Sequence, residues 1–444
     1  MDARGPGERR AERPWLLRRP RPHRDAGASP HARAGFGQVP EDDGRSADQD
    51  VAGAQSGHED IDHAPRAGVP VLALIDVGES DKGENHIVRI DVGPDVAAGS
   101  GRVDEQMDGL REMGAGRGVE FRRKDRPMPL LLGAQMTTDE VLAGADLSGK
   151  RVLVTGVTSG LGLETARALV ARGATVVGCA RDMEKAARAA EAVRTSAPGE
   201  RLELLQVDLA SLDSVRACSD RLLADGRAFD VVIANAGVMA CPYGTTADGF
   251  ETQFGVNHLG HFVLVNRIAP LLASGSRVVC LSSRGHRLSD VDLEDPNFER
   301  QPYVEFVAYG RSKTANILFA VEFDRRNKAR GVRATAVHPG SIETELGRYL
   351  TADVTERFLA AVSEGASTPP VLDWKTIPQG AATSVWAGFV APAQEVGAGY
   401  CEDCHVAEVN DSPVFGAGVR SYALAADRAG ALWALSEDLV GESF

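Results

Sequence analysis

Apolar runs and amphipathic segments alternate regularly over the last two thirds of this 444-residue chain. Short segments with an apolar centre, such as 151–155 around Val152–Val154, predict strands buried on both faces, and the segments between them, such as 161–172, have apolar residues at helical spacing. The remaining predicted strands are 175–179, 202–207, 231–234, 277–282 and 332–337, and the remaining predicted helices are 183–194, 211–223, 250–272 and 309–327. Apolar strands separated by helices are typical of a parallel sheet covered on both faces. The pattern therefore predicts the α/β class: a single doubly wound, Rossmann-type domain with a parallel sheet.

The first 135 residues lack this alternation. Residues 1–127 contain no Tyr or Cys, one Trp and two Phe, and are rich in Arg, Pro, Gly, Asp and Ala. So little apolar surface hardly offsets the entropy of ordering the chain, and only 69–75 and 87–92 resemble strands. We therefore predict a low-complexity, largely disordered leader at 1–135 and the folded domain at 136–444. A second interpretation is that the leader results from translation upstream of a true start at Met128 or Met136.

Composition and charge exclude several classes of protein. The formal net charge of −14 argues against nucleic-acid binding, which needs a concentrated basic surface. No stretch approaches the roughly 18 consecutive apolar residues of a membrane span, and no export signal follows the N-terminal arginines. The six cysteines are sparse for this length, which fits a reducing compartment without disulfides. We predict a cytoplasmic protein that binds neither nucleic acid nor membranes.

A glycine-rich turn joins the first predicted strand to the helix that follows. Glycines there let the backbone turn sharply and approach a pyrophosphate, and the helix N-terminus offers free N–H groups. A tight turn without a ligand is the alternative, but the position at the start of the first βαβ unit favours a dinucleotide site. The residues predicted to form the site are Gly156, Ser159, Gly160, Leu161 and Gly162.

Residues at the ends of the next three strands are predicted to contact the dinucleotide, and the first of them indicates which dinucleotide binds. Arg181 stands where NAD-binding proteins carry an acidic residue, and a guanidinium suits a 2′-phosphate, so NADP(H) is predicted over NAD(H). The alternatives are that Arg181 is a solvated surface residue and that Asp182 is a displaced acid. Asp208, followed by Leu209, is placed to meet the adenine ring. The segment after the fourth strand is predicted to close over the cofactor: Asn235, Ala236 and Gly237.

Tyr309 and Lys313 are four residues apart on a predicted helix, so their side chains share one face. A phenol is a poor acid or base near neutral pH, and a neighbouring ammonium stabilises its phenolate by lowering the pKa. Ser283 follows the fifth strand at the ligand-binding edge and is predicted to hydrogen-bond a substrate oxygen. Asn257, inside the preceding helix, is predicted to hold a water that leads protons to Lys313. This set suits the interconversion of an alcohol and a ketone.

The order of these motifs resembles the short-chain dehydrogenase/reductase family over residues 148 to about 410. The resemblance implies that Tyr309 is the acid/base, that Lys313 binds the nicotinamide ribose and lowers the pKa of Tyr309, and that Ser283 and Asn257 orient substrate and support a proton relay. It also implies that the loop containing Pro339, Gly340 and Thr344 contacts the nicotinamide carboxamide. By the same resemblance, the helices around 250–272 and 309–327 make the subunit contacts of a homodimer or homotetramer.

One departure from the family pattern is the interval of 26 residues between Ser283 and Tyr309, about twice the usual length. With Asn257-His258-Leu259-Gly260-His261-Phe262, it resembles the branch of retinol dehydrogenases, WW-domain oxidoreductases and protochlorophyllide reductases. The insertion, 284–308, and the segment 342–376 are predicted to form the wall of the substrate pocket.

The sequence Cys401-Glu402-Asp403-Cys404-His405 matches the attachment motif for c-type haem. Haem attachment needs export, and a zinc site needs a second ligand cluster, so we predict neither haem nor a metal here. The expected function is an NADP(H)-dependent oxidoreductase acting on a small carbonyl or alcohol substrate. A non-catalytic NADP(H)-binding sensor, and an isomerase or dehydratase of the same fold, are the alternatives.

Overall fold

The computed structural model describes Leu74–Gly78, Ile87–Asp91 and residues 133–196, 201–363 and 374–444. The predicted leader lies outside the described residues apart from its last three residues and two short strands, β1 (Leu74–Gly78) and β2 (Ile87–Asp91), which pair with each other. The sequence placed β2 correctly and β1 five residues too early.

An eight-stranded sheet forms the centre of the domain, in the spatial order β12-β11-β8-β7-β6-β3-β4-β5. Only the pair β11–β12 is antiparallel. A separate two-stranded ladder joins β9 to β10. The strands are β3 (Arg151–Thr155), β4 (Thr175–Ala180), β5 (Leu202–Gln206), β6 (Phe229–Ala234), β7 (Leu272–Leu281), β8 (Arg333–His338), β9 (Ser341–Ile342), β10 (Trp374–Lys375), β11 (Tyr400–Glu402) and β12 (His405–Val406).

Eleven α-helical segments occur in the described ranges. They are α1 (Thr138–Val141), α2 (Gly160–Ala171), α3 (Met183–Ser196), α4 (Leu212–Asp225), α5 (Thr252–Phe254), α6 (Gly260–Arg267), α7 (Glu305–Asn327), α8 (Ala352–Ser363), α9 (Ile377–Val385), α10 (Ala393–Val396) and α11 (Ala426–Val440). Shorter 3₁₀ turns are Ala269–Leu271, Arg284–Leu288, Lys328–Arg330, Glu345–Tyr349 and Ser421–Leu424. Across the described ranges, none of the helices combines the length and apolarity needed to cross a bilayer.

The central strands bury their two faces in two separate cores, which confirms the predicted doubly wound fold. In β3, Leu153 belongs to a cluster with the helices α4, α6, α7 and α11, whereas its neighbours Val152 and Val154 belong to a cluster with α1, α2, α3 and α9. Successive strand residues point to opposite faces, so a strand that is apolar throughout must be covered on both.

The predicted continuous helix over 250–272 is wrong. Helix α5 passes into a π-helical turn, Gly255–Leu259, in which the N–H of Gly260 donates to the carbonyl of Gly255, and α6 then ends before Pro270. Proline lacks an N–H and clashes with the preceding helical turn, which is why the helix stops there. Strand β7 therefore begins at Leu272, five residues earlier than predicted.

The Cys-x-x-Cys-His sequence forms the hairpin between β11 and β12. Glu402 pairs with His405, and the two residues between them, Asp403 and Cys404, have φ values of 51° and 57°. Two left-handed residues are what a two-residue type I′ turn requires. Cys401 and Cys404 are buried and free, so the motif builds an edge of the sheet.

Candidate active site

The end of β3 and the end of β6 are joined by side-chain hydrogen bonds beneath the glycine loop. The hydroxyl of Thr155 accepts the backbone N–H groups of Asn235 and Ala236, each at 2.9 Å, and the side-chain amide of Asn235 donates to the Thr155 carbonyl at 2.7 Å. These bonds hold the predicted segment from Asn235 to Gly237 against the start of the loop.

Close backbone packing explains why the loop needs glycine. A Cβ on Gly162 would lie 2.3 Å from the carbonyl oxygen of Gly156 and 2.5 Å from the Asn235 amide nitrogen. Gly156 itself has a φ of 79°, and a Cβ there would lie 3.0 Å from Ala236. The first turn of α2 therefore contacts the loop without intervening side chains, as a dinucleotide-binding turn requires.

Replacing Gly162 with Ala is expected to destabilise the domain by about 1–3 kcal/mol, because the new methyl group overpacks the loop against Gly156 and Asn235. Dinucleotide affinity should fall at least about tenfold, since the displaced loop is the predicted binding surface. Denaturant unfolding and NADPH titration measure the two effects. Gly430→Ala, in α11 where a Cβ would meet nothing within 4 Å, is the matched control and should be neutral or stabilising. Equal effects at the two sites would contradict the interpretation.

Positive side chains border the end of β4. Arg181 is exposed and faces the same cavity as the glycine loop. The carboxylate of Asp182 accepts the backbone N–H of Lys185 at 2.9 Å, so this acid is engaged at the start of α3. Lys185, in the first turn of α3, also lines the cavity and pairs with Glu345. Sequence reasoning missed Lys185, whose partner Glu345 lies 160 residues later in the chain.

Asp208 and Leu209 line the cavity beyond β5. One oxygen of the Asp208 carboxylate accepts the N–H of Ala210 at 3.0 Å, and the Asp208 N–H donates to the Ser214 hydroxyl at 2.9 Å. These bonds fix the orientation of the acid at the cavity edge.

Helix α7 brings Tyr309 and Lys313 together, both only 4% exposed. The Lys313 ammonium donates to the carbonyl of Leu281 at 3.0 Å and lies 5.6 Å from the centre of the Tyr309 ring. The side chains of Tyr309 and Ser283 are hydrogen-bonded, and the Ser283 hydroxyl accepts the N–H of Gly285 at 3.0 Å. A phenol, a hydroxyl and an ammonium thus converge at the carboxyl end of β7.

Burial controls the protonation of this group. It raises the pKa of Tyr309 to about 12, although the hydrogen bond with Ser283 acts in the opposite direction. It lowers the pKa of Lys313 to about 8. The lowering of the Tyr309 pKa that the sequence analysis expects from Lys313 does not overcome burial here, so Tyr309 is protonated at neutral pH. A protonated Tyr309 is a proton donor.

Asn257 lies in the π-helical turn behind the cavity wall. Its side-chain oxygen accepts the N–H of Val238 at 2.8 Å, and its amide donates to the Val238 carbonyl and the Ser312 hydroxyl, both at 2.9 Å. Asn257 therefore clamps the segment that follows Gly237 to helix α7. Its backbone carbonyl accepts a hydrogen bond from His261 at 3.0 Å.

His261 links Asn257 to Thr155 at the end of β3. The Thr155 hydroxyl already accepts two N–H groups, so its own proton goes to Nε2 of His261 at 2.9 Å, and Nδ1 carries the proton donated to Asn257. Burial lowers the pKa of His261 to about 4, which keeps the ring neutral. Sequence reasoning assigned no role to His261, whose contacts depend on the π-helical turn.

The loop after β8 crosses the glycine loop. A Cβ on Gly160 would lie 3.4 Å from the Thr344 methyl carbon, and Gly340, with a φ of 103°, packs against Lys375. We call residues 341–349 the strap. The strap and Pro339 line the same cavity as the glycine loop, which agrees with the predicted position of this segment.

One cavity of about 1200 Å³ is lined by all the predicted site residues except Asn257. Its outer wall includes Phe306, Phe358 and Phe415. The ring centroid of Phe358 lies 4.5 Å from that of Phe306 and 6.0 Å from that of Phe415. Trp374, 63% exposed, also borders the mouth. Within the described ranges, no three His, Cys, Asp or Glu side chains are arranged to hold a metal ion.

Comparison with known proteins identifies similar sequences and a similar structure. The family model described as short chain dehydrogenase matches residues 150–355. Human retinol dehydrogenase 13 is 41% identical over 222 residues, which are 50% of this chain and 67% of that protein. A short-chain dehydrogenase/reductase of Penicillium rubens is 37% identical over 297 residues, 65% of this chain and 84% of its own length. A crystal structure of a putative uncharacterized protein from Mycobacterium paratuberculosis superposes with a TM-score of 0.53 at 35% identity, covering 68% of this chain and 98% of that one.

Proposed function

Since this chain belongs to the short-chain dehydrogenase/reductase family, we propose that it is an NADP(H)-dependent oxidoreductase of carbonyl and alcohol substrates. The observation that carries the proposal is the meeting of Tyr309, Ser283 and Lys313 in the same cavity as the glycine loop. A non-catalytic NADP(H) sensor would need the loop but not this buried trio.

The residues present fit a dinucleotide. Gly156 and Gly162 leave a cradle that a Cβ would fill, and Arg181 forms no ion pair with any described residue. We propose that Gly156, Ser159, Gly160, Leu161 and Gly162 hold the pyrophosphate, Arg181 the 2′-phosphate, Asp208 and Leu209 the adenine, and Asn235, Ala236, Gly237, Lys313, Pro339, Gly340 and Thr344 the nicotinamide half. When bound, NADP(H) supplies or accepts the hydride.

The chain's own side chains supply the proton. For reduction of a carbonyl, Ser283 orients the substrate oxygen and the Tyr309 hydroxyl donates its proton to that oxygen. The Lys313 ammonium stabilises the phenolate that remains. Asn257 holds Val238 and Ser312 in place, and we infer that it also supports the supply of protons to Lys313. Tyr309 is protonated near neutral pH and can therefore donate a proton to a carbonyl oxygen there.

The substrate wall is aromatic and apolar, which favours bulky apolar carbonyl compounds. Relatives named retinol dehydrogenases support the same class. We propose testing the purified protein with NADPH against aliphatic aldehydes, aromatic ketones and retinaldehyde, following NADPH absorbance. Saturable reduction of the larger apolar members is expected. Tight NADPH binding without turnover of any member would support the sensor, and product formation without net NADPH oxidation would support an isomerase or dehydratase.

Arg181→Asp is expected to lower the ratio of kcat/KM for NADPH to that for NADH by about 10- to 100-fold, because a carboxylate repels the 2′-phosphate and accepts ribose hydroxyls. The two values of kcat/KM are measured with one carbonyl substrate. Arg188→Asp removes the same charge from an exposed position further along α3 and is the matched control. An unaltered ratio would show that Arg181 does not contact the phosphate.

A cytoplasmic location and a homodimer or homotetramer remain predictions. Helix α11 packs over α6 and α7, with Trp433 at 5.1 Å from Phe262 and 5.9 Å from Phe319 between ring centroids. The helix faces that the family resemblance implies as subunit contacts are therefore partly covered by the chain itself.

A further inference from the structure

One charged contact crosses the cavity without a role in the reaction proposed above. The ammonium of Lys185, in the first turn of α3, forms an ion pair with the carboxylate of Glu345 in the strap, 160 residues later. Both residues line the cavity, and their side chains are 37% and 57% exposed. The pair ties the strap to the side of the cavity where Arg181 lies.

The Glu345 carboxylate occupies an environment suited to an anion. The hydrogen bond and charge of Lys185 lower its pKa, and a hydrogen bond with Ser159 of the glycine loop and the charge of Arg348 act in the same direction. Thr344, its neighbour, lies against Gly160. A strap carboxylate thus contacts two elements that border the proposed cofactor site, the glycine loop and α3.

A 2′-phosphate near Arg181 would compete with this carboxylate. Arg181 lies between the end of β4 and the start of α3, Lys185 lies in the first turn of α3, and both line the cavity, so both cations are available to the same anion. Glu345 neutralises one of the two and adds a negative charge close to a ligand group that carries about −1.5 to −2 charges, as phosphate monoesters do near neutral pH. NAD(H), which has no phosphate at this position, does not meet this opposition.

We propose that Glu345 is a specificity-determining residue that restrains the affinity for 2′-phosphorylated dinucleotides by holding Lys185. This inference rests on the proposed use of NADP(H). On this proposal, the preference for NADP(H) depends on three side chains: the cations Arg181 and Lys185 attract the 2′-phosphate, and the Glu345 carboxylate opposes it.

The test compares two ligands that lack the nicotinamide half, 2′,5′-ADP and 5′-AMP, by titration calorimetry on the full chain. For Glu345→Gln, the affinity for 2′,5′-ADP is expected to rise about three- to tenfold, while that for 5′-AMP changes less than about twofold. The gain should shrink between low salt and about 0.3 M salt, because exposed charges are screened. Glu343→Gln removes a charge from the same strap at a residue that pairs with no described cation, and should change either affinity less than about twofold.

The double variant Lys185→Met/Glu345→Gln separates competition for Lys185 from a general change in charge. Relative to Lys185→Met alone, the double variant is expected to gain less affinity for 2′,5′-ADP than Glu345→Gln gains in the presence of Lys185. An equal gain with both ligands, no gain, or the same gain without Lys185 would overturn the role of Glu345. If instead the unaltered protein binds 2′,5′-ADP no more tightly than 5′-AMP, the proposed preference for NADP(H) itself fails.

Discussion

Tyr309→Phe is expected to lower kcat for carbonyl reduction by about 10²- to 10⁴-fold while NADPH affinity changes less than about threefold. Phenylalanine fills the same buried volume, so the ring still packs against the site, but the hydroxyl hydrogen-bonded to Ser283 is gone. The cost falls on proton donation and not on binding. Steady-state kinetics with a substrate from the panel and an NADPH titration measure the two quantities.

Tyr400→Phe is the matched control for this variant. Tyr400 is also buried, its ring lies 4.9 Å from that of His286, and its hydroxyl has no hydrogen-bond partner among the described residues. Removing that hydroxyl should leave kcat within about twofold, since no hydrogen bond is lost. Turnover by Tyr309→Phe at the level of the unaltered protein would exclude Tyr309 as the proton donor.

Lys313→Met is expected to lower kcat/KM by about 10²- to 10⁴-fold, because the phenolate left on Tyr309 loses the cation that lies 5.6 Å from its ring centre. The ammonium is charged below its pKa of about 8 and loses its charge above it. In the unaltered protein, kcat/KM for reduction should therefore be level at lower pH and fall as pH rises through about 8. Lys313→Arg keeps the charge at all these pH values, so it should retain partial activity and lack the decline.

The same lysine gives a prediction for stability that does not depend on activity. Because burial lowers its pKa in the folded state below the value of about 10.4 in an unfolded chain, the unfolded state binds more protons between about pH 8 and 10. The free energy of unfolding of the unaltered protein should rise in that window relative to that of Lys313→Met. Urea unfolding of both proteins at pH 7 and pH 10 measures the difference, and a constant difference would show that Lys313 has an ordinary pKa.

The sequence was sufficient for features whose cause is local. The apolar strands, the glycine loop and the Tyr309–Lys313 spacing are set by residues close together in the chain, and the structure has the doubly wound sheet as predicted, although β7 begins five residues earlier than expected. The continuous helix over 250–272 was wrong because residues 257–266 are all buried, so this segment has no alternation of apolar and polar faces that could reveal the extra residue of a π-helical turn.

Residues that act through distant partners could not be identified in this way. His261 bonds to Thr155, 106 residues earlier, and Glu345 meets Lys185 only because the strap folds back over α2. The pKa of Tyr309 was also expected to follow its charged neighbour, whereas the depth of burial, a tertiary property, has the larger influence. Sequence spacing gives no measure of burial.

The order of strands in the sheet has a consequence during synthesis. Strands β3, β4 and β5 neighbour one another and are the first strands of the eight-stranded sheet to leave the ribosome. The other side of β3 pairs with β6, which begins only at Phe229. Until then β3 is an edge strand whose residues, from Val152 to Val154, are apolar on both faces. Such an edge is a template for pairing with other chains. We therefore expect the nascent chain to be most prone to aggregate, and most dependent on chaperones, in the interval between the completion of β5 and the arrival of β6.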